Sequence, residues 1–254
     1  MGILNVTPDS FYDGGRFMEE ENILIQAEKM IHEGADFIDI GAYSTRPGAA
    51  DLSEAIEIER IIPAIKAVHQ KFPEITLSVD TFRSTVAREA VKVGASLVND
   101  ISGGQDEKMF AAIAELQVPY ILMHMRGTSQ TMTQLTQYDN LIKDITDFLH
   151  SKINQLHHFG VKDIIVDPGF GFAKTVDQNF ELLANLNYFK ILEKPLLAGL
   201  SRKSFVWKTL ETDPEGALNG TITANTIALL NGASILRVHD VKEAVACIRM
   251  VSKL

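Results

Sequence analysis

Eight times along this chain a short apolar run ends on a polar residue and gives way to a helical pattern. The runs are residues 3–6, 37–40, 76–79, 96–99, 120–123, 164–167, 195–200 and 235–238. Between them apolar residues recur about every 3.6 positions, as in residues 22–34, where Ile23, Ala27, Met30 and Ile31 share one face. Further helices are predicted over residues 53–72, 83–93, 106–116, 138–159, 177–186, 214–230 and 241–252, the first of these capped by Ser53. Gly34, Gly94, Gly160 and Gly232 close four of the helical stretches, which is C-cap chemistry. Eight βα units within 254 residues specify an α/β fold of one kind, a (β/α)8 TIM barrel occupying residues 1–254 as a single domain. The competing architecture is a doubly wound sheet. Its glycine-rich dinucleotide loop is missing, since Val6-Thr-Pro-Asp-Ser10 follows the first strand instead.

The most informative unit is Ile164-Ile-Val-Asp-Pro-Gly-Phe-Gly-Phe-Ala-Lys174. Its β-branched start reads as a buried parallel strand. Asp167 follows at once, and Pro168 ends the ladder. Gly169 and Gly171 then bend the backbone between Phe170 and Phe172. A carboxylate is thereby set at the carboxyl end of a strand beneath aromatic rings, on the face where parallel α/β folds bind ligands. Taken alone, Asp167 reads equally well as a cap for the next helix.

The other strands repeat the design. Their ends supply Asn5, Asp39, Asp80, Asn99 with Asp100, His124, the run Ser201-Arg-Lys203, and Arg237 with His239. One polar strand end is a turn or a cap; eight around one mouth point to a binding site. Asp80, Asn99, Asp167 and Lys203 together match a flat heterocycle with a 2-amino-4-oxo pyrimidine edge. Carboxylates accept from an amidine-like edge, an amide reads a mixed one, and a lysine donates to a carbonyl or ring nitrogen. Ile101, Met123 and Phe172 offer apolar faces for such a ring. The alternative for Asp80 and Asp167 is a structural ion pair with Lys203. Arg237, His239, Asn5 and the loop Ser44-Thr-Arg-Pro-Gly48 form a second, cationic and hydroxylic set. Arg237 and His239 flank the eighth strand end, a phosphate position in many barrels. Asn5 offers a neutral oxygen to a Mg2+ ion that keeps waters and is held mostly by pyrophosphate. Two loops, residues 7–17 and 43–52, are long enough to serve as lids.

Composition narrows the partners. The formal charge of −9 without a basic cluster argues against nucleic acid and against an anionic membrane. No apolar run reaches membrane-spanning length, and no signal peptide opens the chain. The single cysteine, Cys247, excludes an internal disulfide, and a reducing, cytoplasmic setting is expected. Residues 2–6 already read as a strand, so further residues are expected ahead of them in the full protein.

These motifs, in this order, resemble bacterial dihydropteroate synthase over nearly the full length. The matching stretches are Met1-Gly-Ile-Leu-Asn-Val-Thr-Pro-Asp-Ser-Phe11 with Asp13-Gly-Gly15, Asp39, Ser44-Thr-Arg-Pro-Gly48, Ser78-Val-Asp-Thr81, Val98-Asn-Asp-Ile101, Leu122-Met-His124, Asp167 to Lys174, Ser201-Arg-Lys-Ser204 and Arg237-Val-His239. The resemblance implies an enzyme of folate biosynthesis, a transferase. In its reaction para-aminobenzoate displaces pyrophosphate from 6-hydroxymethyl-7,8-dihydropterin diphosphate, with Mg2+, to give 7,8-dihydropteroate. It further implies a homodimer and competition by sulfonamides. By the same resemblance pterin contacts fall on Asp80, Asn99, Asp167 and Lys203, with Ile101, Met123, Phe172 and Gly199 around the ring. Pyrophosphate and Mg2+ contacts fall on Asn5, Thr45, Arg237 and His239, and the aminobenzoate pocket on Phe11, Thr45, Arg46, Pro47, Phe172 and Ser204. Asp80, Lys203, Arg237, His239 and Asn5 are the implied catalytic set. Tyr43 departs from the family, which often has Glu there. Two other readings share part of this pattern: a pterin-binding methyltransferase acting on methyltetrahydrofolate, and a catalytically silent pterin-binding module.

Overall fold

The computed structural model describes residues 1–6, 16–42 and 52–254. Its strands are β1 (Gly2–Asn5), β2 (Phe37–Gly41), β3 (Thr76–Asp80), β4 (Leu97–Asp100), β5 (Tyr120–Met123), β6 (Ile164–Asp167), β7 (Leu197–Ala198) and β8 (Ile235–Leu236). The first six pair in parallel in chain order, and β7 pairs in parallel with β8. Parallel bridges Val166–Leu196 and Gly2–Val238 join the two sheets at both ends. Across the second seam Ile3 N–H donates to the Val238 carbonyl and Val238 N–H to the Met1 carbonyl, each at 2.9 Å. The ring of eight strands is closed, as the βα repeats predict.

Around it lie α1 (Arg16–His32), α2 (Glu54–Lys71), α3 (Ser84–Lys92), α4 (Met109–Leu116), α5 (Leu141–His158), α6 (Val176–Ala184), α7 (Ser204–Thr209), α8 (Leu218–Leu230) and α9 (Val241–Val251). Ser53 caps α2, its side chain accepting from Ile56 N–H. The four glycines predicted as C-caps all hold positive φ. The residue after each donates back to a carbonyl five positions earlier, for example Ala95 N–H to Ala90 at 3.0 Å, which is the Schellman closure.

Several boundaries differ from expectation. The first helix starts at Arg16, six residues ahead of residue 22, and ends at His32. The seventh strand shrinks from residues 195–200 to Leu197–Ala198, because Pro195 has no N–H to pair. The fourth helix starts at Met109 and not at residue 106, since the Asp106 carboxylate is spent on Ser84 N–H and Lys108 N–H. The eighth starts at Leu218 and not at residue 214, because Asp213 accepts from Gly216 N–H in a turn. The six-residue α7 is too short to show a period in sequence and is an addition.

The strands separate two cores by their period of two. Leu4, Ile38, Ile40, Leu77, Val79, Val98, Leu122 and Val166 face outward into the main core with the helices. Met1, Leu97, Ile121, Ile165 and Leu197, with Phe37 and Ile235, form an apolar plug inside the barrel. Two residues further along the same strands stand Ile3, Asn99, Met123, Asp167, Gly199, Asp39 and Arg237. The polar layer that makes the floor of the mouth therefore rests directly on the plug.

Candidate active site

Arg237 organises one half of this floor. Its Nε donates to Asp39 Oδ2 and one terminal nitrogen to Asp80 Oδ2, both at 2.6 Å. Asn99 Nδ2 donates to the same Asp39 oxygen at 2.9 Å. Asp39 and Asn99 are buried. Parallel register sets Asp80 between Gly41 of β2 and Asn99 of β4. The absence of a side chain on Gly41 makes room for it, since a Cβ there would lie 3.1 Å from Asp80 Cβ. Burial pushes Asp80 up to about 7; Asp39 adds to the shift, while Arg237 opposes it. For Arg237 burial works to lower the pKa, but Asp39 and Asp80 outweigh it and raise it.

Asp167 and Lys203 occupy the other half. Burial raises the Asp167 pKa, against the pull of Lys203 and of the Gly169 N–H that its Oδ1 accepts at 2.7 Å. Burial lowers Lys203 to about 8, with Asp167 opposing. Among the described residues no carboxylate lies within ion-pair distance of Lys203, so the structural ion pair weighed for Asp80 and Asp167 is not formed. Lys203 Nζ instead donates to the Phe170 carbonyl and stands 4.3 Å from the Phe172 ring centre. Asp80 takes its cation from the eighth strand.

The loop after β6 is locked by a residue without an assigned role in the sequence reading. Lys174 Nζ donates to the Gly169 carbonyl at 2.8 Å and to the Phe172 carbonyl at 3.0 Å, and lies 3.3 Å from His124 Nδ1. Burial lowers Lys174 to about 7 and His124 to about 2, so the imidazole is neutral. Gly169 and Gly171 hold φ of 76° and 78° inside this turn. A Cβ on Gly171 would meet Lys203 Cδ at 2.7 Å, so the turn and the lysine are packed as one unit.

Most of the residues predicted from sequence converge. Ile101, Met123 and Phe172 belong to one buried cluster with Met125, Met132 and Ala173, an apolar wall over the polar floor. A Cβ on Gly199 would lie 3.9 Å from Arg237 Cβ and 4.0 Å from Asp167 Oδ2, so the glycine faces the cup between them. Asn5, Ser204 and His239 are exposed at the rim. Ser201 Oγ accepts from His239 N–H and lies 3.1 Å from its Nδ1. Phe11, Thr45, Arg46 and Pro47 lie outside the described residues. Two strand-end groups leave the mouth. Asp100 and His124 sit at outward positions of the alternation. Asp100 accepts from Ser102, Gly104 and the Tyr120 hydroxyl, and His124 packs edge-on to Phe148 at 5.0 Å. Asp39, placed at a strand end in the sequence but given no contact, joins the floor.

Among the described residues no three His, Cys, Asp or Glu side chains converge as metal ligands. Asn5 contributes one neutral, exposed oxygen at the end of β1. That donor fits a hard cation such as Mg2+ that keeps waters and takes its remaining oxygens from a bound diphosphate.

The family model described as pterin binding enzyme matches residues 1–239. The dihydropteroate synthase of Synechocystis is 48% identical, over 99% of this chain and 88% of its own length. A Yersinia pestis dihydropteroate synthase, solved in complex with a sulfonamide drug, superposes with a TM-score of 0.93 at 42% identity, covering 99% of this chain and 92% of that one. The Xanthomonas albilineans dihydropteroate synthase, solved with 4-aminobenzoic acid, gives a TM-score of 0.93 at 38% identity, over 99% and 91% of the two chains.

Proposed function

The chain belongs to the pterin-binding enzyme family and is a transferase of the dihydropteroate synthase group; we propose that it joins para-aminobenzoate to 6-hydroxymethyl-7,8-dihydropterin diphosphate by a dissociative substitution. The observation that carries this reading is the shared floor. Asp80, Asn99, Asp167 and Lys203 surround one cup whose wall is Ile101, Met123 and Phe172, and Arg237 enters it from the β8 side next to His239.

The chemistry follows from the charges. The C–O bond to the diphosphate breaks, pyrophosphate leaves with the electron pair, and the dihydropterin methylene carbon is left cationic. The aryl amine nitrogen then forms the C–N bond and loses a proton. An aryl amine is neutral at pH 7, so departure of the leaving group is the demanding step. Arg237 keeps N–H groups beyond those given to Asp39 and Asp80, and these can meet the developing negative charge. His239 at the rim is placed to assist. Asp80 and Asp167 favour a cationic ring in a dry cup. Asn5 would hold Mg2+ together with the diphosphate, and the ion would supply charge neutralisation on the leaving oxygens. In this reading Phe172 and Ser204, together with Phe11, Thr45, Arg46 and Pro47, take the aminobenzoate. A methyltransferase has no use for a cationic diphosphate end at Arg237, and that disfavours the rival.

Sulfonamides provide the test of the aminobenzoate half. Inhibition competitive with para-aminobenzoate is expected; inhibition that is competitive with the pterin diphosphate alone would contradict the reading. Lys203 is tested separately. Lys203→Met should weaken binding of a bare pterin and lower kcat together, each by roughly 10- to 100-fold for a lost charged hydrogen bond. Wild-type pterin affinity in that variant, measured by titration calorimetry, would reject the contact.

Asp80 gives a pH dependence. Its folded pKa of about 7 lies above its unfolded value, so between these the folded state holds a proton that the unfolded state lacks. Through this group alone, stability falls as pH rises across that window. Ligand binding runs the other way, because the carboxylate is the acceptor. Pterin affinity should fall as pH drops below about 7, by up to about tenfold per unit. An affinity flat from pH 5.5 to 8.5 would remove Asp80 from the contact set.

A homodimer in a cytoplasmic setting belongs to the same reading. Supporting the dimer, Leu210, Ile227, Leu230, Ile248 and Met250 are exposed on or next to the last three helices. Sedimentation at micromolar concentration distinguishes dimer from monomer.

A further inference from the structure

We propose that Asp39 is a positioning residue that sets ring specificity by fixing which way the Asn99 amide faces; the proposal rests on the pterin reading above. Asp39 is fully buried in the floor, and Oδ2 takes both Asn99 Nδ2 at 2.9 Å and Arg237 Nε at 2.6 Å. A carboxylate only accepts, so Asn99 must turn its NH2 group toward it. One Nδ2 proton is then committed, and the other proton and Oδ1 are left for the cup. Among the described residues nothing else hydrogen-bonds the Asn99 side chain. Its Oδ1 is also not among the side-chain atoms sealed from solvent without a partner. The edge presented is therefore one acceptor beside one donor, complementary to an amino group beside a ring nitrogen. Turned the other way, the same amide would place NH2 where the amino group sits.

The cost of this arrangement is visible. Asp39 Oδ1 is sealed from solvent with no hydrogen-bond partner among the described residues. Two donors crowd one oxygen while the other has none, which a carboxylate kept only for stability would not require. The arrangement makes sense if the orientation of the donors is what the carboxylate provides. Arg237 is held by the same oxygen, so the amide and the guanidinium are indexed to one atom.

The test compares binding of pterin with binding of lumazine, its 2-oxo counterpart, both without diphosphate, to wild type and to Asp39→Asn. An asparagine at this position can either donate or accept, so Asn99 is free to turn. The wild type should prefer pterin, and that preference should shrink about tenfold in Asp39→Asn. A merely structural loss would weaken both ligands equally and leave the ratio unchanged, and an unchanged ratio overturns the proposal while leaving the pterin reading intact. A wild type with no preference for pterin overturns both. If Asp39→Asn does not fold, the wild-type protein still decides by nuclear magnetic resonance of the Asn99 side chain. One Nδ2 proton should be protected from exchange before ligand, and the second should become protected on addition of pterin. Two freely exchanging protons in the ligand-free protein overturn the proposal.

Discussion

Arg237→Ala is expected to lower unfolding free energy by about 3–5 kcal/mol and turnover by at least about 100-fold. The two effects have one cause. The guanidinium bridges Asp39 and Asp80, and removing it leaves two buried carboxylates facing each other without a cation. Part of that cost is relieved when Asp80, already pushed up to about 7 by burial, takes a proton. A protonated Asp80 is a poorer acceptor for the ring, so the variant should bind even a bare pterin less well, and a pterin diphosphate less well still. Arg237→Lys separates the contributions. A lysine restores one charge but cannot span two carboxylates with a planar fork, so it should recover more stability than activity. Denaturant unfolding of the three proteins, alongside steady-state kinetics, checks this. An Arg237→Ala variant with wild-type unfolding would mean that the floor carboxylates do not depend on the arginine.

Gly169→Ala is the second large effect, and it acts on the backbone. The residue holds φ of 76°, and an added Cβ would stand 2.0 Å from the His124 carbonyl oxygen. Neither atom can move alone, because His124 directly follows β5 with its N–H held by the Asp167 carbonyl, and the turn is tied by Asp167, Lys174 and Phe172. A loss of roughly 3 kcal/mol or more is expected, in the range seen for strained backbone with no relaxation path. Phe172 and Lys203 should shift with the turn, so pterin affinity falls even in molecules that remain folded. Gly160→Ala is the control. It too has positive φ, but no atom lies within 4 Å of its would-be Cβ, so only the backbone strain, about 1 kcal/mol, should appear. Equal stability losses for the two variants would contradict the steric account.

Much of the fold was legible because the chain repeats one unit. Strand, polar end and helix recur eight times, and the C-cap glycines mark where helices stop. Strand parity was the harder signal. Read as a run, Ile164-Ile-Val166 is apolar on both faces and does not reveal which residues look inward. The alternation is nevertheless present: Phe37 and Asp39, Leu97 and Asn99, Ile165 and Asp167, and Ile235 and Arg237 each pair a plug residue with a floor residue two positions on. That alternation seats Asp39, already placed at the mouth by its strand end, beside Asn99, and turns Asp100 and His124 outward. Lys174 was not legible, because a lysine after a glycine-rich turn reads as exposed until tertiary structure folds the turn over it. The six-residue α7 left no periodic trace. The pairing of Asp80 with Arg237 spans 157 residues of sequence, and only barrel closure puts β3 and β8 on the same side of the cup.

The most direct measurement is the release of pyrophosphate from 6-hydroxymethyl-7,8-dihydropterin diphosphate, with 7,8-dihydropteroate followed in parallel and Mg2+ present. The account predicts one pyrophosphate for each dihydropteroate formed, with release depending on para-aminobenzoate and collapsing in Arg237→Ala. Methyl transfer from methyltetrahydrofolate with no pyrophosphate released, or binding of pterin with no turnover under these conditions, would contradict it.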